Sequence, residues 1–168
     1  MKATGIVRRI DDLGRIVIPK EIRKNLKLHE GDSLEIFVED MNIILRKYSL
    51  IDNFNYDIKR IVDVYYKCFK KNIIITDKEK IIAGSKGIRL NGALSSNIKD
   101  KIIDRVDRII CDEKITVGDD KFSNFYFSSI IADSDAIGSI VLISDDIRDY
   151  DIGVIKLIKE ILVKNIEE

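Results

Sequence analysis

Residues 34–38 alternate. Leu34, Ile36 and Val38 are separated by Glu35 and Phe37, a period-two pattern that predicts a strand. Glu39-Asp40-Met41-Asn42 reads as a turn, and Ile43 to Arg46 as the strand that answers it. Upstream, Ile6, Val7 and Ile10 predict a first strand and Arg15 to Ile18 a second, joined by the turn Asp11-Asp12-Leu13-Gly14. Gly14 there can take the positive φ that a tight turn needs. Pro19, the one proline of the chain, fixes φ and lacks an N–H, which suits a helix start. The helix runs from Lys20 to about Leu26, with Ile22 and Leu26 on one face and Arg23 and Lys24 on another. The chain then leaves through Gly31.

Beyond a linker at Tyr48–Asn55 the period changes. Phe54, Ile58, Ile61, Val62, Tyr65 and Phe69 follow helical spacing with charges between them. Asn72 to Thr76 and Ile81 to Gly84 read as strands around a turn at 77–80. Ser95 or Ser96 can cap a helix carrying Ile98, Ile102, Val106, Ile109 and Ile110. Ile115 to Val117 is a short strand, and Phe122 to Ala132 pairs with Ile137 to Ser144 around 133–136. A final helix from about Tyr150 carries Val154, Ile155, Ile158, Ile161 and Leu162. This order is that of an α+β domain with an antiparallel sheet. The chain therefore divides into residues 1–52 and 53–168.

The formal net charge of the 168 residues is zero, but its distribution is uneven. Residues 1–27 hold eight Lys/Arg against three acids, a net +5, so the remainder carries −5. A basic head on an acidic body favours an oriented polyanion. A unit of about 50 residues rarely buries enough apolar surface to stand alone. With no disulfide or metal cluster to help it, the head is expected to be an obligate dimer. Its Lys/Arg would neutralise phosphates and release counterions. A mostly β head with one short helix points to shape-based readout of A·T-rich, deformable duplex DNA.

The stretches TGIVRRIDDLGRIVIPKEIR and EGDSLEIFVED…IILRKY resemble the AbrB-type transition-state regulators of spore-forming bacteria. The likeness is gapless over residues 1–50 and rests on the LGR turn, the I-P-x-E-[IL]-R helix start and the GD turn together. It implies a swapped-hairpin β-barrel, two chains interleaving their hairpins around one core. It also implies that the family's DNA-contacting arginines match Arg8, Arg15 and Arg23. Arg9, Lys20 and Lys24 complete the expected DNA-binding set. Lys24 stands where the family commonly has arginine; it keeps the charge but lacks the bidentate fork. The C-terminal region is similar to the compact GAF-like domain of the sporulation members. The resemblance thus implies a regulator of sporulation genes with a signal-sensing C-terminal domain.

Assembly is the other role of that domain. Its first and last helices carry apolar stripes wider than one sheet needs, at Ile58, Ile61 and Tyr65 and at Ile155, Ile158 and Leu162. Contact through them would join two dimers into a closed tetramer; the alternative is that both stripes simply cover the sheet. The cleft between the sheet and the Gly84–Gly92 loop is the candidate signal site: its ligand, if there is one, is unidentified, small and modestly polar, and the alternative is an empty, purely structural core.

Other chemistry is weakly encoded. His29, the single histidine, lies in a turn, and no nucleophile–base–orienter set is visible, so an enzyme is not expected. Gly84-Ser85-Lys86-Gly87 lacks phosphate-loop spacing, and the stretch from Asp133 fails as a calcium loop because Ile137 and Ser144 fill ligand positions. The acids Asp145, Asp146, Asp149 and Asp151 suit a helix N-terminus without a metal, and no cofactor is implied. Cys68 and Cys111 fall in apolar patterns and are expected buried and reduced. No apolar run reaches the ~18 residues of a membrane span, so the expectation is a cytoplasmic, nucleoid-associated protein. Two other classes share the pattern: an antitoxin-like interaction protein built on the same barrel, and a ligand sensor with DNA binding secondary.

Overall fold

The computed structural model describes residues 5–28, 30, 32–88, 94–111, 113–117 and 120–167. His29, Gly31 and residues 89–92 of the Gly84–Gly92 loop lie outside this set. The chain forms two compact units, Met1–Tyr48 and Ser49–Glu168.

The first unit contains α1 (Lys20–Asn25), β1 (Leu34–Glu39) and β2 (Asn42–Lys47). β1 and β2 form an antiparallel hairpin in which Glu39 pairs with Asn42, so the turn is the two residues Asp40 and Met41. Asp40 supplies the positive φ, at 53°, that such a turn needs. One face of the hairpin places Ile36 opposite Leu45 and Val38 opposite Ile43.

The strands expected at Ile6–Ile10 and Arg15–Ile18 are not formed within the single chain. A strand is defined by a neighbour, and the described residues offer these segments none. The consequence is visible in exposure. Val7, Ile10, Val17, Ile36, Val38 and Ile43 are each more than half exposed. The face that carries Ile36, Val38 and Ile43 is open, while Phe37 and Ile44 on the opposite face are partly buried.

The second unit is built on a five-stranded antiparallel sheet in the order β4-β3-β9-β8-β5. Its strands are β3 (Asn72–Asp77), β4 (Ile81–Gly84), β5 (Asp107–Ile110), β8 (Phe125–Ala132) and β9 (Asp135–Ile143). A small hairpin of β6 (Ile115–Val117) and β7 (Asp120–Phe122) stands apart. Helices α2 (Asn55–Phe69) and α4 (Asp149–Glu167) cover one face, and α3 (Ser96–Ile103) the other. Because both faces are covered, the central strands are apolar at nearly every position. Ile73, Ile75 and Leu142 point to α2 and α4, while Ile74, Val141 and Phe127 point to α3.

Several expectations are corrected here. Residues 49–52 belong to the second unit, because Ile51 is buried in its core. The helix expected to run through Ile110 stops at Ile103. Arg105 takes φ +53°, which turns the chain, and Asp107–Ile110 pairs with β8 as a strand. Ser95 sits at the start of α3 but makes no side-chain cap; its carbonyl accepts the Ile98 and Lys99 N–H groups instead. Cys68 and Cys111 are both exposed, because Cys68 lies on the side of α2 away from the sheet and Cys111 follows the edge strand β5. Among the described residues, no helix is long and apolar enough to cross a membrane.

Candidate nucleic-acid interface

The head presents its basic residues from two local structures. The first is the turn after Arg8 and Arg9. Gly14 (φ +76°) and the Asp11 backbone close it: the Asp11 N–H donates to the Arg15 carbonyl at 3.0 Å, and the Gly14 N–H to the Asp11 carbonyl at 3.0 Å. The Asp11 carboxylate fastens the turn internally. Its Oδ1 accepts the Leu13 N–H at 3.1 Å and the Arg15 N–H at 2.7 Å, and its Oδ2 accepts the Arg15 Nε–H at 2.8 Å. The Arg15 N–H first, and its guanidinium second, hold the Asp11 carboxyl below the usual carboxylate range. The Arg15 side chain stays mostly exposed, so a phosphate can compete for it at little cost.

The second is α1. Lys20, Arg23 and Lys24 stand at i, i+3 and i+4, hence on one face, and all three are exposed. Basic residues also suit the last turn of a helix. The helix ends in a Schellman motif: the Leu28 N–H donates to the Arg23 carbonyl at 2.8 Å and the Lys27 N–H to the Lys24 carbonyl at 3.3 Å. Lys27 fills the left-handed position usually given to glycine, with φ +52°. Lys47 braces the loop that follows. Its Nζ lies 3.1 Å from the Asp32 carboxylate and 3.4 Å from the Lys27 carbonyl, while the Tyr48 N–H reaches the Ser33 carbonyl at 2.9 Å.

Arg8, Arg9, Arg15, Lys20, Arg23 and Lys24 are therefore all exposed, the first three around the turn and the last three on α1. Asp11, which holds Arg15, and Lys47, which braces the loop after α1, were not singled out from sequence. An acid four residues before an arginine across a Gly turn was the signal for Asp11. Among the described residues no group of three or more His, Cys, Asp or Glu is placed to hold a metal ion.

The helix stripes are placed differently. Ile58, Tyr65, Ile155, Ile158 and Leu162 are buried against this chain's own sheet, and Ile61 alone is half-buried. They cannot form an open contact face while the domain is folded. The exposed apolar positions lie one step round each helix: Val64 with Cys68 on α2, and Leu157 with Ile161 on α4. An open, mainly apolar groove of about 470 Å³ runs between the two helices, with Ile61, Val64, Phe69 and Val154 in its walls and Asp57 and Arg60 at its polar rim. Helical spacing at 154, 157 and 161 would have revealed the second stripe.

The start of α4 is tied down by a buried ion pair. Lys71 Nζ lies 2.7 Å from Asp151 Oδ2, and the same oxygen accepts the Arg148 N–H at 2.9 Å, which caps α4. Burial opposes the charge on Lys71, but its bond to Asp151 raises its pKa on balance. Tyr65 faces the same carboxylate; burial, then the negative Asp151, push its phenol well above the ordinary value.

Residues 7–52 match the family described as "Antidote-toxin recognition MazE, bacterial antitoxin". Stage V sporulation protein T of Bacillus subtilis is 40% identical over 154 residues, which are 87% of this chain and 86% of that protein. A solution structure of the N-terminal DNA recognition domain of the B. subtilis transition-state regulator AbrB is 59% identical, covering 29% of this chain and 92% of that one, with a TM-score of 0.26. A crystal structure of residues 122 to 287 of a methyl-accepting chemotaxis protein covers 71% of this chain and 91% of that one, with a TM-score of 0.54 at 14% identity, a likeness of fold alone. By its basic head, its second domain and its likeness to stage V sporulation protein T over most of both chains, this chain belongs to the AbrB-type transition-state regulator family, in its two-domain form.

Proposed function

We propose that the chain is a DNA-binding transcription regulator of sporulation genes. The observation that carries this is the head itself. Six exposed basic residues stand around one turn and one helix face, on a unit whose apolar positions are open. A second copy that interleaves its hairpins would cover Val7, Ile10, Val17, Ile36, Val38 and Ile43 and duplicate the basic set about a two-fold axis. The names of the relatives support the reading: one is a sporulation protein, and another carries a domain described as a DNA recognition domain. The DNA is duplex and A·T-rich, read largely by shape, because α1 has six residues and offers no long recognition helix.

The test is salt dependence of binding to a promoter fragment. Each phosphate contact contributes about 0.9 to the log–log slope, and a two-fold head doubles it. Arg8→Ala, Arg15→Ala and Arg23→Ala should each weaken binding and lower the slope by about two. Slopes unchanged in all three folded variants would remove the assignment.

The C-terminal unit is read as a GAF-like sensing and assembly domain. Its α3 side is filled by Ile98, Ile102, Phe127 and Val141, which leaves room there only for a small ligand. Assembly into a tetramer uses a second copy docked on the exposed stripe of α2 and α4, with Val64, Leu157 and Ile161 at its centre. A second reading, an antitoxin-like partner of a toxin, is favoured by the description of the family matching residues 7–52. A folded unit of 120 residues after the head and the sporulation relative weigh against it. Co-purification with the product of a neighbouring toxin gene would reverse that judgement.

A further inference from the structure

The turn between β3 and β4 ties together parts of the second unit that are distant in sequence. Asp77 is buried, and its carboxylate does two jobs. Oδ1 accepts the Glu79 N–H at 2.6 Å and the Lys80 N–H at 2.7 Å, which fixes the turn. Oδ2 accepts the Ser49 hydroxyl at 3.0 Å, in the segment that leaves the head. Ser49 Oγ in turn accepts the Asp52 N–H at 3.3 Å. Lys80 repeats the link, its Nζ lying 2.6 Å from Asp52 Oδ2. On the opposite side, Glu79 holds the far wall of the domain. Its carboxylate pairs with Lys99 on α3, and its carbonyl accepts the Leu94 N–H at 2.9 Å.

The segment from Ser49 is seated as well as tied. Ile51 packs on Gly138 of β9, where a Cβ would stand 2.5 Å from the Ile51 Cδ1 and 2.0 Å from the Thr76 carbonyl oxygen. The glycine thus keeps open the seat that Ile51 occupies.

We propose that the 77–80 turn is a coupling element, which transmits displacement of α3 and of the strand-to-helix segment at Leu94 to residues 49–55, the segment between head and α2. The physical basis is that one rigid four-residue turn is clamped from both sides. Moving Lys99 or Leu94 shifts Glu79, and the shared Asp77 carboxylate carries that shift to Ser49 and Asp52. Coupling of this kind is reciprocal, so loosening the Ser49 end also loosens the Leu94 end. What drives α3 rests on the sensing role proposed above; the mechanical link does not.

The test is amide hydrogen exchange of the full-length protein, with no DNA or ligand present. Lys99→Ala, on α3, should accelerate exchange of the Asp52 and Phe54 amides at least about five-fold, while β8 and β9 amides keep their rates. Ser49→Ala should accelerate the Leu94 amide in return. If Lys99→Ala leaves 52–54 unchanged while Asp77→Asn accelerates them, the turn holds its neighbours locally and transmits nothing. Acceleration spread equally over β8 and β9 would equally overturn the proposal, since it reports general loosening. Because DNA is absent from the readout, loss of the DNA-binding reading would leave either outcome intact.

Discussion

Two adjacent residues on α4 separate the proposed assembly contact from the folded core. Leu157 is 60% exposed, whereas Ile158 is 8% exposed. Fully burying a leucine contributes about 2 kcal/mol, so covering the exposed part of Leu157 against a second copy contributes ~1.2 kcal/mol. Counted from both chains this is ~2.4 kcal/mol, roughly a 60-fold change in association constant. A charged replacement adds the cost of desolvating a carboxylate. If the proposed tetramer forms through this stripe, Leu157→Glu should dissociate it to dimers at micromolar concentration, with the thermal midpoint of the dissociated species little changed. Ile158→Glu removes a core contact of ~2 kcal/mol and forces a carboxyl into the α2–α4 layer, a total of about 4 kcal/mol or more. Against typical stabilities of about 5–15 kcal/mol, that removes a large share of the domain's stability and should lower its thermal midpoint steeply. Sedimentation velocity over a hundred-fold concentration range, with circular dichroism melts of the same samples, reads both effects. If Leu157→Glu sediments as the unaltered protein does, the exposed stripe is not the contact. If Ile158→Glu stays folded and alone disrupts assembly, the assignment of inner and outer stripes is reversed.

Lys71→Met leaves the buried Asp151 carboxylate without its cation and should cost about 3 kcal/mol, lowering the thermal midpoint by about 6–12 °C; a melt within 2 °C of the parent would contradict the pairing. Gly138→Ala drives a methyl into the Thr76 carbonyl, a backbone atom that cannot swing aside, and should cost about 3 kcal/mol or more in chemical denaturation. Tyr65 and Tyr126 both have phenols raised far above their ordinary value, chiefly by burial and then by Asp151 and Asp107 respectively. A raised folded-state pKa gives stability that is present below the unfolded value near 10 and lost as pH climbs above it. In an alkaline titration followed at 295 nm, two of the six tyrosines should ionise only as far-ultraviolet dichroism is lost, and ionisation of all six before any unfolding would refute this.

Local patterns settled a good deal. The Gly14 turn, the helix after Pro19 and the hairpin of β1 and β2 all rest on contacts within a few residues, so spacing and φ preference encode them directly. The exposed basic residues were legible for the same reason: charge on a short helix face and around a turn needs no distant partner to stay in water.

What only tertiary structure decided involves competition between alternatives that sequence leaves equal. Residues 98–110 fit a helix throughout, yet Arg105 turns the chain and gives Asp107–Ile110 to the sheet, because β8 offered an unpaired edge. Leu157 and Ile158 are both apolar and helical, and only docking on the sheet determines which one is inside. Ile6, Val7 and Ile10 mark a strand by composition, but a strand needs a neighbour that the described part of one chain does not supply. Asp77 reads as an ordinary turn residue until the fold brings Ser49, 28 positions away, to its second oxygen. The sequence determines which segments are helix, turn or strand wherever the deciding contacts are local. Faces, edges and long-range polar links are determined by which surfaces remain to be buried once those segments meet.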